Sequence, residues 1–275
     1  MPELPEVETV VRGLRSRLEG RRVRSLIFLS SHLEQKQPFS ALSPGVYRGK
    51  KIVCLWRRGK IIIFSFSGGC GLLIHLKMTG QLYLCPPEQP LDKHTHARMT
   101  FYGLKSELRF RDIRKFGFLN CLRMPEILSR VSTGLGPEPL DLGFKEFQAL
   151  LKKHGRKKIK GWFLDQKIIA GIGNIYSDEI LFRAGIRPDR PAGTLGPEEV
   201  RRLYRAMKST LREAIKLKGS SVSDYVDARG EKGQFQRKHL VYGRDGMLCY
   251  RCRRAAINRK RIAGRSSFFC PFCQK

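Results

Sequence analysis

Two places in this sequence join residue types that do chemistry with a spacing that lets them act. The first is the opening, Met1-Pro2-Glu3-Leu4-Pro5-Glu6-Val7-Glu8. A small second residue such as proline permits removal of the initiator methionine. Pro2 would then present a secondary amine, and terminal amines titrate near about 8, so a nucleophilic fraction exists at neutral pH. Such an amine can attack an aldehyde-like carbon. The resulting iminium has no N–H to lose and persists as an electron sink, while Glu3 beside it can give or take a proton. For an arbitrary Met-Pro-Glu start, the plainer reading is preferred: residues that merely lead into a helix.

The second place is the C-terminal end, where Cys249-x2-Cys252 and Cys270-x2-Cys273 are separated by 17 residues. Two-residue spacing lets both thiolates of a turn face one ion, and two such turns complete a tetrahedron, the pattern of a single structural Zn2+. The other cysteines, Cys54, Cys70, Cys85 and Cys121, are scattered singly, mostly in apolar runs, and read as small reduced hydrophobes. From Cys249 to Lys275 there are eight basic residues and no acids. An Arg-lined, metal-stiffened hairpin suits phosphate contact, although a merely structural ribbon would look the same.

The whole chain is basic: 54 Lys and Arg against 24 Asp and Glu, a formal net charge of +30 over 275 residues. That balance marks a polyanion binder, with nucleic acid the commonest partner. No run approaches the roughly 18 apolar residues of a spanning helix, and the acidic opening is unlike a secretory or transit signal. The expected location is cytoplasmic, with the nucleoid. No heptad pattern appears, so a monomer is expected.

The elements that must position these residues follow from periodicity. Leu4, Val7, Val10, Val11, Leu14 and Leu18 form one apolar helical face, with Pro5 expected at the first helical position and Gly20 ending the helix. Short β-rich runs follow at 23–29, 51–56, 61–66, 71–76, 81–84, 97–102, 107–110 and 117–122, which predicts a sandwich or barrel-like sheet packed with that helix. Gly134-Leu-Gly-Pro-Glu-Pro-Leu140 reads as a linker. Helical texture then covers 144–153, 159–166, 175–184 and 197–217, followed by a Gly- and Ser-containing stretch, 219–233, expected to be mobile. The expected domains are 1–133, the linker 134–140, a helical domain 141–236, and a metal module 237–275. The glycines of Gly171-Ile-Gly-Asn-Ile-Tyr176 permit a tight turn, with Asn174 expected as N-cap of the next helix, whose amides would seat a phosphate.

In order and spacing these motifs resemble the formamidopyrimidine-DNA glycosylase family over essentially the whole chain. The opening resembles that family's signature, and Arg265, five residues before Cys270, falls where the family's finger-tip arginine lies. Arg57-Arg-Gly-Lys60 is similar to its catalytic-lysine turn, His75-Leu-Lys-Met78 to its void-filling methionine region, and Asp112-Ile-Arg-Lys-Phe116 to its intercalation loop. Residues 134–140 resemble its linker, and 171–176 its helix–two-turn–helix hairpin. One departure is visible: the family usually has glycine after the second finger cysteine, and here Arg253 stands there.

The resemblance implies an α+β multidomain fold: an N-terminal helix with a two-layered β-sandwich, a helix–two-turn–helix domain, and a C-terminal β-hairpin zinc finger. It implies base-excision repair of damaged double-stranded DNA by a bifunctional glycosylase and abasic-site lyase, acting on 8-oxoguanine and formamidopyrimidines. Pro2 would be the Schiff-base nucleophile and Glu3 the proton donor, with Lys60 assisting β-elimination and Arg265 assisting δ-elimination and phosphate binding. A damaged base must leave the stack to be attacked. Met78 would be the wedge that fills the hole, Arg114 the partner of the orphaned base and Phe116 the stacking ring. His94, Arg156 and Asn174 would contact phosphate, and the 219–233 loop would cap the flipped base. Two alternatives stay open: an endonuclease VIII-like glycosylase for oxidised pyrimidines, and a non-catalytic zinc-ribbon DNA-binding protein.

Overall fold

The computed structural model describes residues 1–222 and 224–275. They divide into two compact units, Met1–Thr133 with Leu217–Gln236, and Gly134–Lys216 with Arg237–Lys275. The expected helical domain 141–236 is thus cut at residue 217. The cause is a set of bonds that tie residues 217–236 to the N-terminal elements: Leu84 N–H donates to Ala228 O at 3.0 Å, and Ser220 N–H donates to the Glu6 carboxylate at 2.7 Å.

The first unit opens with α1 (Leu4–Leu18), whose Val7, Val10, Val11, Leu14 and Leu18 are all fully buried. Glu3 caps it in a reciprocal box with Glu6, each side chain taking the other's backbone N–H. Leu4 opens the helix, so Pro5 falls one place later than expected, still within the first turn where its missing N–H costs nothing.

Eight strands follow: β1 (Val23–Phe28), β2 (Ile52–Arg58), β3 (Ile61–Phe66), β4 (Cys70–His75), β5 (Gly80–Cys85), β6 (Thr95–Phe101), β7 (Glu107–Asp112) and β8 (Phe118–Arg123). They form two antiparallel sheets, ordered β1-β6-β7-β5 and β2-β3-β4-β8. Leu72 and Ile74 of one sheet share a core with Leu82, Leu84, Leu108 and Phe110 of the other and with the apolar face of α1. The two-residue period in these pairs is what turns them inward together. Each such side chain contributes about 1.5–3 kcal/mol on burial, so this core is the rigid frame for the loops at the strand ends. Two short helices lie outside the expected elements: α2 (Ser31–Gln35) and α3 (Met124–Gly134).

The second unit holds α4 (Phe144–Lys153), α5 (Ile159–Leu164), α6 (Asn174–Ala184) and α7 (Pro197–Lys216); the Phe147 ring of α4 meets Trp162 of α5 edge-on at 5.5 Å and Tyr204 of α7 at 5.5 Å. A β-hairpin of β9 (Asn258–Ile262) and β10 (Arg265–Phe269) follows. Helix α6 is buried almost all round and carries two acids that bind its neighbours. Asp178 pairs with the buried Lys160 ammonium at 2.7 Å and accepts Phe268 N–H of β10 at 3.2 Å. Glu179 accepts the N–H groups of Leu240, Val241 and Tyr242, each at 3.0 Å. These charge-assisted bonds fix the base of the cysteine module to the helical body. Among the described residues no helix is long and apolar enough to cross a membrane.

Candidate active site and DNA-contact surfaces

Pro2 and Glu3 are both buried at the head of α1, with Met1 exposed before them. Glu3 N–H donates to Glu6 Oε2 at 2.8 Å, and the other oxygen of Glu6 accepts Ser220 N–H at 2.7 Å. One buried carboxylate therefore joins the turn carrying Pro2 and Glu3 to the 219–233 segment. Tyr225 adds to the tie: its hydroxyl lies 3.1 Å from Lys218 O and 3.3 Å from Glu6 O. Gly219 is required here, because its φ of +79° suits glycine and an added Cβ would meet the Glu6 carboxylate at 2.7 Å. The segment expected to be mobile is stitched down at several points. Residue 223, inside it, lies outside the described residues.

Lys60 is buried in the turn between β2 and β3. That turn is tied to α1 through Arg57, which donates to Glu8 Oε2 at 2.9 Å and to Gly59 O at 3.1 Å. Burial works to raise the Glu8 carboxyl, but the Arg12 and Arg57 guanidiniums outweigh it and hold the group below its usual range. The elements carrying Pro2, Glu3 and Lys60 are thereby locked in one frame.

At another edge of the same unit, Met78, Arg114 and Phe116 come together. The Arg114 guanidinium lies 4.6 Å from the Phe116 ring centroid, and its Nη1 donates to Met78 Sδ at 3.3 Å. Met78 is 39% and Phe116 48% exposed, against the ordinary preference of such residues for the core. Lys77 and Lys115, the residues just before Met78 and Phe116, both have left-handed backbone, with φ of 51° and 55°. Below the loop sits Asp112, fully buried, whose carboxylate accepts the Thr79 hydroxyl, Gly117 N–H at 2.6 Å and Arg114 N–H at 3.3 Å. His94 joins this base through its carbonyl, which accepts Asp112 N–H at 2.9 Å. His75 Nδ1 accepts Lys77 N–H at 2.9 Å, and burial together with the Lys77 and Lys60 cations presses its pKa down to about 3.

In the second unit, Asn174 and Arg265 share a polar groove of about 910 Å³ that is also lined by Tyr242, Arg259, Lys260 and Arg261. Gly173 is the N-cap of α6; Asn174 is the first helical residue rather than the cap expected from the sequence. Its amide is used elsewhere, donating to Ser266 O of β10 at 3.0 Å. Arg156 is exposed on the turn after α4 and is not among the groove-lining residues.

The ligand atoms of Cys249, Cys252, Cys270 and Cys273 lie within 4.8 Å of one another and could hold a metal ion. Cys249 and Cys273 sulfurs are 3.8 Å apart, and those of Cys252 and Cys270 3.7 Å. N–H groups of Arg254 and Ala255 aimed at Cys252 hold its thiol down at about 6. Arg253, directly after Cys252, has a left-handed φ of 51°.

Comparison with known proteins places this geometry. The family model for the formamidopyrimidine-DNA glycosylase N-terminal domain matches residues 1–119, and that for the H2TH domain of the same enzymes matches residues 135–226. The formamidopyrimidine-DNA glycosylase of Carboxydothermus hydrogenoformans is 44% identical over 276 residues, covering all of both chains. The chain belongs to the formamidopyrimidine-DNA glycosylase family. The Bacillus cereus formamidopyrimidine-DNA glycosylase is 36% identical over 277 residues, with 100% of this chain and 99% of that protein covered. Wild-type Lactococcus lactis Fpg, solved in complex with DNA containing N7-benzyl-Fapy-dG, superposes with a TM-score of 0.88 at 36% identity over the full length of both chains. The expected α+β architecture, with its sandwich, helix–two-turn–helix part and four-cysteine hairpin, is the fold of this formamidopyrimidine-DNA glycosylase family member.

Sequence reasoning passed over the residues that hold this family member's loops in place. Glu6, Asp112 and Glu179 looked like ordinary acids. Each is 1% exposed or less and gathers backbone N–H groups. The available signal was indirect: in so basic a chain, the acids kept next to motif residues are candidates for buried acceptors.

Proposed function

We propose that this protein excises oxidised purines from duplex DNA and then cleaves the strand at the resulting abasic site. The observation that carries the reading is the head of α1, where Pro2 and Glu3 are built into a capped, buried turn that Glu6 links to the 219–233 segment. With Met1 removed, the Pro2 nitrogen becomes a secondary amine. It bonds to C1′ of the damaged nucleotide as the glycosidic bond breaks, and Glu3 delivers a proton to the departing base. The adduct gives up its N–H proton and the C1′–O4′ bond breaks as O4′ takes up a proton, which opens the sugar ring to an iminium. Loss of a C2′ proton then feeds that electron pair into the iminium and expels the 3′ phosphate, and a second elimination expels the 5′ phosphate. Lys60 supplies a cation and proton donor for the first elimination, and Arg265 plays the matching role for the second.

Met78, Arg114 and Phe116 fill the space left by the flipped base, whose extrusion costs a few kcal/mol. Their exposure and mutual contact support this role. The groove containing Asn174 and Arg265 seats backbone phosphate, with His94 and Arg156 as further phosphate contacts, and the 219–233 segment caps the extruded base. The DNA-bound state of the solved Lactococcus lactis relatives, including one with an abasic site, supports damaged duplex as the partner. By function we assign 1–133 to the catalytic sandwich, 141–236 to DNA binding and base capping, although its residues 217–236 pack within the first unit, and 237–275 to the finger. The net charge of +30 supports a binding constant that falls steeply with salt. The protein acts as a monomer in the cytoplasm, with the nucleoid.

The four cysteines fit one structural Zn2+. A zinc tetrahedron with sulfur arms of about 2.3 Å has edges of about 3.8 Å, which matches the Cys249–Cys273 and Cys252–Cys270 separations of 3.8 and 3.7 Å. The ion would neutralise the thiolates and fix the hairpin that presents Arg265.

The test is excision from matched duplexes carrying 8-oxoguanine or thymine glycol. Faster release of 8-oxoguanine supports the reading. Faster release of thymine glycol moves the protein to the oxidised-pyrimidine branch, and binding without any release makes it a non-catalytic zinc-ribbon protein.

A further inference from the structure

Lys36 directly follows α2, and its own backbone is sewn to β8. Asn120 Nδ2 donates to Lys36 O at 2.9 Å. The neighbouring Gln37 side chain donates to Leu119 O at 2.5 Å and accepts Cys121 N–H at 3.0 Å. From this fixed base the exposed Lys36 side chain reaches under the Asp112–Gly117 loop. Its ammonium donates to Lys115 O, and to Gly117 O at 3.1 Å, the two carbonyls that flank Phe116. Among the described residues Lys36 forms no ion pair.

The loop is therefore strung between two fixed charges. The Asp112 carboxylate gathers the N–H groups of Arg114 and Gly117, and the Lys36 ammonium gathers the carbonyls of residues 115 and 117. Lys115 sits in left-handed backbone at φ 55°, a conformation that a non-glycine residue keeps only when its surroundings hold it there. An exposed lysine loses side-chain freedom when pinned in this way. Here the return is a loop of set shape that projects Phe116 into solvent instead of letting it fold back onto apolar surface.

We propose that Lys36 is a positioning residue for base opening, presetting the loop so that Phe116 and Arg114 enter the duplex without first paying to order their own backbone. This rests on the role given to Phe116 above.

The test uses the full-length protein and a duplex with 8-oxoguanine opposite cytosine and 2-aminopurine beside the lesion, so that the fluorescence rise follows opening. Lys36→Met should slow the opening phase and single-turnover excision by about fivefold, equivalent to about 1 kcal/mol of barrier. Nicking of a duplex with a preformed abasic site should suffer less, and the melting temperature should hold. Lys36→Arg, which restores the donors, should recover most of the rate. Phe116→Ala is the control for the underlying role. If Phe116→Ala leaves opening at the wild-type rate, the stacking role given to Phe116 fails and the proposal with it. If Phe116→Ala slows opening but Lys36→Met does not, the proposal alone fails. Weaker duplex binding with a shallower salt dependence and unchanged opening would make Lys36 a phosphate contact and also overturn it.

Discussion

Arg114 rests on the ring of Phe116, 4.6 Å from its centroid, while donating to Met78 Sδ at 3.3 Å. An exposed cation–π contact is worth about 0.5–1 kcal/mol. The guanidinium is thus parked where it can exchange the ring for a base at small cost. Arg114→Ala should lower single-turnover excision of 8-oxoguanine opposite cytosine by about tenfold, about 1.4 kcal/mol, and shrink the rate difference between cytosine and adenine as the opposite base. Arg114→Lys should recover only part, because the ammonium lacks the planar donor fork. Unchanged opposite-base discrimination in Arg114→Ala would remove Arg114 from that role.

His75 gives a pH dependence with a definite sign. Its folded pKa of about 3 lies below the 6.5 of an unperturbed imidazole. The unfolded chain therefore takes up a proton that the native chain refuses. The associated stability is complete above pH 6.5 and is lost as pH falls toward 3, at no more than about 1.4 kcal/mol per unit. His32, pressed down to about 4 first by burial and then by His96, adds to the same loss. His75→Gln, which keeps an acceptor for Lys77 N–H, should make denaturation midpoints fall less steeply between pH 6.5 and 4. An identical slope in wild type and variant would contradict the assignment.

Much of this architecture could be read in advance, and the reasons are local. The 61–66 strand and the 144–153 helix have the expected bounds, because the first is a short, nearly continuous apolar run between turn residues and the second repeats its apolar residues at three to four. The cysteine pairs announced themselves by spacing. Helix α3 did not: it buries only Ile127 and Val131 and contains Pro125, Ser129, Ser132 and Thr133, so neither periodicity nor propensity marks it. The roles of Glu6 and Lys36 were hidden for a different reason. Glu6 binds an N–H group 214 positions along the chain, and Lys36 reaches carbonyls 79 and 81 positions away; no window of sequence contains such a bond. Asn174 resembled a cap because Asn commonly is one, yet Gly173 takes the cap position and Asn174 is already helical.

Arg253 carries a cost that can be measured. At φ 51°, a non-glycine residue pays roughly 1–2 kcal/mol, which glycine would avoid while losing more chain entropy on folding. Arg253→Gly should therefore stabilise the metal-loaded protein by up to about 1 kcal/mol in denaturant titrations. Destabilisation would show that the arginine makes contacts that outweigh its backbone.

For the finger, Cys270→Ser should release zinc, read by a colorimetric chelator, and weaken binding to lesion duplex by at least about tenfold, about 1.4 kcal/mol. The turn bearing Pro2 and Glu3 belongs to the other compact unit, so borohydride trapping at saturating protein should survive. Normal duplex affinity in a zinc-depleted variant would refute the finger's part in binding.

The central claim is a covalent bond between the Pro2 nitrogen and a deoxyribose carbon. Trapping the wild-type protein on an 8-oxoguanine duplex with borohydride, followed by peptide mass mapping, tests it directly. The account predicts a polypeptide that begins at Pro2, with the reduced sugar adduct on that residue. An adduct on a lysine, or full strand cleavage by protein that keeps Met1, would contradict it.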